Sequence, residues 1–182
     1  MYSPLRLLRF TAPAFCALAL TGCASTNISS YVERGIDFTR YRTYTWGPAD
    51  SRSTGDPRLD NNPFFQERVR ASVETELATK GFERIISGTP DLVIHFHASI
   101  NQAINVNSVD RQHGYCDEGD CEPYVYEAGT LLIDLVDART NRVVWRGWAR
   151  GTVDGAIDNQ DRMEQRIDAA VMRILERLPR RL

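Results

Sequence analysis

The sequence predicts an α+β fold, an antiparallel β-sheet with two helices packed on one face. Three observations carry this prediction. The stretches 91–100, 124–136 and 142–153 read as strands, and 91–100 alternates cleanly between apolar and polar residues. The segments 62–81 and 158–178 place their apolar residues at helical spacing. The order is strands, helix, several strands, helix, which a sheet with both helices on one side satisfies most simply.

The chain has 182 residues, a length that fits one domain. A quarter of the residues are charged and 42% are hydrophobic, which excludes a disordered or fibrous protein. The net charge of −2 argues against a nucleic-acid binder. No run of about 18 apolar residues occurs, so no transmembrane helix is expected. Residues 1–9 carry only Arg6 and Arg9 as charges, and residues 10–20 are uncharged and apolar. This layout is that of a secretory signal. It ends in Leu20-Thr21-Gly22-Cys23, which matches the bacterial lipobox. The expected product loses residues 1–22 and carries acyl chains on Cys23, the lipidation site. Two or three such chains hold a protein on a membrane where a single one is marginal. Ala24 stands where the inner-membrane retention signal of enteric bacteria has Asp. The expected location is therefore the periplasmic face of the outer membrane. Removing residues 1–22 takes away two arginines and no acid, so the charge moves from −2 to −4.

The elements follow in order. Residues 23–30 are small and polar after the cysteine and read as a lipidated tether, with a single domain over 31–182. Two short strands are expected within 32–46, the second at 41–46, rich in aromatic and β-branched residues. Residues 47–62 hold Gly, Pro, Asp, Ser and Asn in quantity and read as a loop. Asn62 followed by Pro63 is a helix start. Phe65, Val69, Val73 and Leu77 mark the apolar face of this helix, and Gly81 caps its end. In 91–100, Leu92, Ile94, Phe96, Ala98 and Ile100 share one face, while His95 and His97 share the other. A polar loop or hairpin tip is expected at 107–123. Residues 137–141 make the turn of a hairpin between the strands 124–136 and 142–153. Met163, Ile167, Ala170, Val171, Ile174 and Leu178 form the stripe of the last helix, which Pro179 ends. Asp161 with Glu164 has the spacing of a capping box.

Several clusters together resemble one known family. They are Asp37-Phe38 with Tyr41, Thr43, Tyr44 and Trp46, then Leu77 with Lys80-Gly81-Phe82, then Pro90-Asp91-Leu92. Gly129-Thr130-Leu131 with Asp134 and Asp137, Val144-Trp145-Arg146-Gly147 and Pro179 complete the set. In order and spacing they resemble the bacterial lipoproteins grouped as the domain of unknown function family four-one-three-six. The resemblance implies an envelope lipoprotein with an α+β domain. It implies no established activity and no catalytic residue.

Candidate chemistry is sparse. Cys116 and Cys121 would lie in an oxidising compartment, where two thiols usually pair. Closing so short a loop as a disulfide stabilises by only about 2 kcal/mol. His113, Asp117, Glu118 and Asp120 surround them, but zinc would need both thiols reduced, and a solvated acidic turn is the better reading. His95 and His97 project from one strand face about 7 Å apart, close enough to share a metal or ligand, although a strand whose outer face is simply polar is the better reading. Asp134 and Arg146 join them if the strands are neighbours in a suitable register. Trp145 and Trp148 point to opposite sheet faces; two packing tryptophans is the better reading, and the alternative is one in the core and one outward as a contact residue. GxSxG, HExxH, P-loop and Rossmann patterns are all missing from the sequence. The expectation is a non-enzymatic envelope protein, without a cofactor, anchored to the membrane by its N-terminal lipid and meeting an envelope protein partner. The alternative is a small-ligand or metal-binding lipoprotein that uses the His95/His97 face.

Overall fold

The computed structural model describes residues 26–48, 53–60, 62–105 and 124–179. Its strands are β1 (Asn27–Val32), β2 (Thr43–Trp46), β3 (Glu83–Arg84), β4 (Leu92–Asn105), β5 (Tyr124–Asp137) and β6 (Arg142–Thr152). Its helices are α1 (Pro63–Thr79) and α2 (Gln160–Leu175), with a 3-10 turn at Phe38–Arg40. Among the described residues no helix is long and apolar enough to cross a membrane.

The six strands form one sheet in the order β1-β6-β5-β4-β2-β3. The α+β class stands, and the sheet is mixed. The pairs β1/β6, β6/β5 and β5/β4 are antiparallel, as expected. Strand β2 runs parallel to both β4 and β3. The cause is the intervening helix. A chain that leaves β2, passes through α1 on one face and returns beside β2 arrives in the same direction.

A second difference concerns the tether. Residues 27–30 are part of β1, which pairs from Asn27↔Arg150 to Val32↔Trp145. Nothing in Asn27-Ile-Ser-Ser30 signals a strand. The free edge of β6 supplies the hydrogen-bond partners, and Ile28 packs against the core.

Both helices lie on the face that carries Leu92, Ile94, Ile133, Leu135 and Trp145, and the core sits between them and the sheet. The apolar stripe of α1 (Phe65, Val69, Val73 and Leu77) is buried as expected. The Asn62 side chain accepts from the Phe65 N–H at 3.1 Å. At the other end Gly81 takes φ 81°, the Gly81 N–H reaches the Ala78 carbonyl, and the Phe82 N–H reaches the Leu77 carbonyl at 3.0 Å. Those two bonds are the left-handed helix stop that glycine permits. Asn62→Ala is expected to cost about 1 kcal/mol, read as a lowered urea midpoint at unchanged slope.

The cap of α2 is Asn159, whose side chain accepts from the Arg162 N–H at 2.9 Å, and not Asp161. Asp161 sits within the first turn, where its charge still suits the helix dipole. The other half of the expected box, Glu164, pairs with Arg68 of α1 at 2.8 Å. Arg68 also binds Asp168, so one guanidinium ties the two helices together. The β5–β6 turn forms as expected, with the Asn141 N–H on the Asp137 carbonyl at 2.8 Å and Asn141 at φ 54°.

The residues that carry the family resemblance have structural work here. Asp37 caps the 3-10 turn through the Thr39 N–H and hydroxyl. Asp91 accepts from the Arg42 and Thr43 N–H groups and the Thr43 hydroxyl, fastening the start of β4 to β2.

Candidate functional site

The register brings the predicted site residues together on the face away from the helices. His95 lies opposite Asp134, and Asp134 lies opposite Arg146. Strand β1 adds Tyr31 opposite Arg146. The next row along this face reads Ser29, Trp148, Leu132 and His97. The strands are thus neighbours in the register that the cluster requires.

The chemistry inside the cluster is already partly committed. Arg146 donates from Nε to Asp134 Oδ1 at 2.6 Å and from its terminal nitrogen to Oδ2 at 2.7 Å. The Asp134 side chain is 6% exposed and that of Arg146 43%. The fork-on-carboxylate hydrogen bonds hold the guanidinium above its usual pKa. Both oxygens of Asp134 therefore serve Arg146, and a metal ion would have to break that pair to use them. Among the described residues no three His, Cys, Asp or Glu side chains converge to hold a metal. The arrangement suits contact with a partner or ligand surface: two imidazoles, an exposed guanidinium edge and aromatic rings.

Two details escaped the sequence. Gly47 lies against His95, because a Cβ there would stand 2.1 Å from the imidazole Cε1. The glycine lets the ring lie on the backbone just past the end of β2. Tyr31 is 49% exposed and donates its hydroxyl to Glu33, which pushes the phenol pKa up. Only the tertiary pairing of β1 brings it beside Arg146. The two tryptophans take opposite faces as expected: Trp145 is fully buried in the core, and Trp148 is half-buried on the outer face. The lipidation residue Cys23, the pair Cys116 and Cys121, and His113 lie outside the described residues.

A second feature lies on the inner face, at the far end of the sheet from Trp145. A cavity of about 130 Å³ opens between β4, β5 and β6 on one side and α2 on the other. Here the facing residues are small, among them Ala98, Gly129, Ala149 and Ala170, so the layers do not fill the space between them. The bend around it is held by Arg58, which binds Asp56, Glu127 and Asp158 at 2.5, 3.0 and 2.8 Å. No spacing in the sequence marks these contacts, which span up to 100 positions.

The model of one family matches residues 28–180, nearly the whole described domain. This chain belongs to the family described as Domain of unknown function (DUF4136). The expectation drawn from its residues thus holds for the family and the fold. No curated protein matches the chain. Among solved structures, a PDZ domain protein from Parabacteroides distasonis is similar, at 17% identity and a TM-score of 0.55. That match covers 84% of this chain and 35% of the other, so this chain spans about a third of that protein's length. A DUF4136 family protein from Bacteroides thetaiotaomicron matches at 13% identity and a TM-score of 0.48, over 79% of this chain and 92% of its own. The PelC dodecamer from Paraburkholderia phytofirmans matches at 12% identity and 0.48, over 83% and 96%.

Proposed function

We propose that this DUF4136 protein is a lipid-anchored envelope lipoprotein whose domain faces the periplasm and acts as a non-enzymatic interaction module of the outer membrane. The observation that carries the reading is the outer sheet face, where Tyr31, Arg146 and Trp148 stand in adjacent rows with no helix over them among the described residues. Tyr, Arg and Trp are the residue types that anchor protein interfaces most often. The pairing of Arg146 with Asp134 presets the guanidinium, so a partner meets an ordered surface and less entropy is lost on binding.

The placement of the anchor supports the same reading. The lipobox ends at Cys23 and β1 begins at Asn27. At about 3.5 Å per extended residue, the sheet edge would be held within roughly 14 Å of the lipidated cysteine. Asn27 stands in the row of Arg150, Thr130 and Ser99, so the anchor would hold the end of the sheet from which β4 and β5 extend.

Cys23→Ser is expected to abolish labelling with radioactive palmitate and to move the protein out of the outer-membrane fraction. Photo-crosslinkers placed at Trp148 and at His97 are expected to capture the same envelope protein, with capture lost when Arg146→Ala is added. Palmitate labelling that survives Cys23→Ser would overturn the anchor. Failure of every outer-face position to capture an envelope component would overturn the interaction role.

A further inference from the structure

We propose that the cavity under α2 binds a short single-chain anionic amphiphile, a fatty acid of about six carbons, with its tail inside and its carboxylate on Arg166 and Arg173. The cavity lies on the opposite face of the sheet from the Tyr31/Arg146/Trp148 surface, and Thr26, three residues after Cys23, is part of its lining. Its volume of about 130 Å³ approaches the ~150 Å³ at which an apolar cavity takes up benzene-sized guests. Its walls are mostly apolar, with Phe65, Ile100, Leu131, Ile167 and Ala170 among them. A space lined in this way offers water too few partners and favours hydrocarbon.

The charge at the cavity selects the head group. Among the described residues, Arg166 and Arg173 are the only charged residues that line it, and both are cationic. They lie seven positions apart, on one side of α2, and both are exposed, so the cavity reaches the surface beside them. Among the described residues neither arginine has an ion pair or a side-chain hydrogen bond. Glu164 and Asp168, the acids on the adjacent side of the helix, are both held by Arg68. Three threonines, Thr26, Thr130 and Thr152, supply the remaining polar lining, and among the described residues no carboxylate lines the cavity to repel an anion. An apolar pocket with two uncommitted guanidinium groups at its mouth complements a hydrocarbon tail ended by a carboxylate. A neutral alcohol of the same length gains only the tail.

The test uses the full chain in phosphatidylcholine vesicles and a hexanoic acid analogue that carries a diazirine near its methyl end. Illumination is expected to label peptides containing Ile167–Ala170 and Leu131, saturably, and the matching fatty alcohol to label about tenfold less. Ala170→Phe fills the cavity and is expected to cut the label about tenfold. Arg166→Glu with Arg173→Glu changes exposed residues only, and is expected to do the same without moving the melting curve. The charge reversal therefore stands as a test even if the filled variant folds poorly. Labelling that is indifferent to the charge reversal, or spread over the chain without saturation, would overturn the proposal. So would labelling that appears only with Cys23→Ser, since the protein's own acyl chain would then be the occupant.

Discussion

Trp145→Ala is expected to cost about 3–5 kcal/mol, the range for deleting a buried large aromatic side chain. Against a typical total of about 5–15 kcal/mol, this variant is close to unfolding at growth temperature. Trp145 is fully buried, and its ring lies across Gly147 on its own strand. A Cβ at Gly147 would stand 2.3 Å from the indole Cη2 and 2.6 Å from Ile174 of α2. The missing methyl group is what lets the indole lie flat between β6 and α2. Gly147→Ala is therefore expected to cost about 1–3 kcal/mol by overpacking. Combined with Trp145→Ala, much of that clash disappears, and the two costs should fall short of additivity by at least about 0.5 kcal/mol. Urea denaturation of the four proteins measures this, and strictly additive costs would sink the ring-over-glycine account. The indole N–H has no partner among the described residues, so part of the gain from burial is offset by an unmet donor. Trp145→Phe removes that donor and keeps most of the apolar ring, and is expected to lose far less than the alanine variant.

Asp137→Ala is expected to cost about 2–3 kcal/mol at neutral pH and to change the acid limb of stability. The carboxylate is 5% exposed and accepts from the Tyr41 hydroxyl at 2.9 Å and from the N–H groups of Arg139 and Thr140 at 3.0 and 2.8 Å. Removing it leaves the buried Tyr41 hydroxyl without its acceptor, which carries the larger share of the cost. Burial alone would push the Asp137 pKa up. The hydrogen bonds from Thr140, Tyr41 and Arg139 outweigh it and hold the carboxyl below its ordinary value. Such a group stabilises the fold above its unfolded pKa, about 3.9, and loses that contribution as pH falls through the lower folded value. The wild type should therefore lose stability as pH drops below about 5, and Asp137→Asn should show a shallower fall. Asp56 and Asp60 are also held low, by Arg58 and by Thr54 with Ser53, and add to the fall in both proteins. The difference between the two curves isolates Asp137. Tyr41 mirrors the effect at high pH: burial, then the bond to Asp137, pushes it up to about 12. Its share of stability is lost as pH rises toward that value. Identical acid limbs for wild type and Asp137→Asn would show that the carboxylate has no such role.

What was legible in the sequence is local. Helix α1 announced both ends, because Asn62, Pro63 and Gly81 act through bonds within five residues of themselves. The β5–β6 hairpin announced its turn for the same reason. The His95/His97 face followed from alternation alone, and the opposed tryptophans from odd spacing. The cap of α2 shows where local reading slips: Asn159 and Asp161 are both good caps, and packing against α1 draws Glu164 to Arg68 and away from a box. The first residues of strand β1, Asn27–Ser30, have little propensity of their own and join the sheet because β6 offers an edge. The Asp134–Arg146 pair needed the register, and the cavity needed the depth of small residues from three strands and a helix.

By itself the sequence determined the class of fold, the faces of its elements, the family and the expectation of a lipid anchor, because each rests on spacing along one stretch of chain. The tertiary structure alone decided the parallel run of β2, the recruitment of residues 27–30 into the sheet, the commitment of Asp134 to Arg146, and the cavity between Arg166, Arg173 and the sheet. Those features depend on which distant segments meet and how well their side chains fill the space between them, and pairing and packing across the chain are set by the whole domain at once.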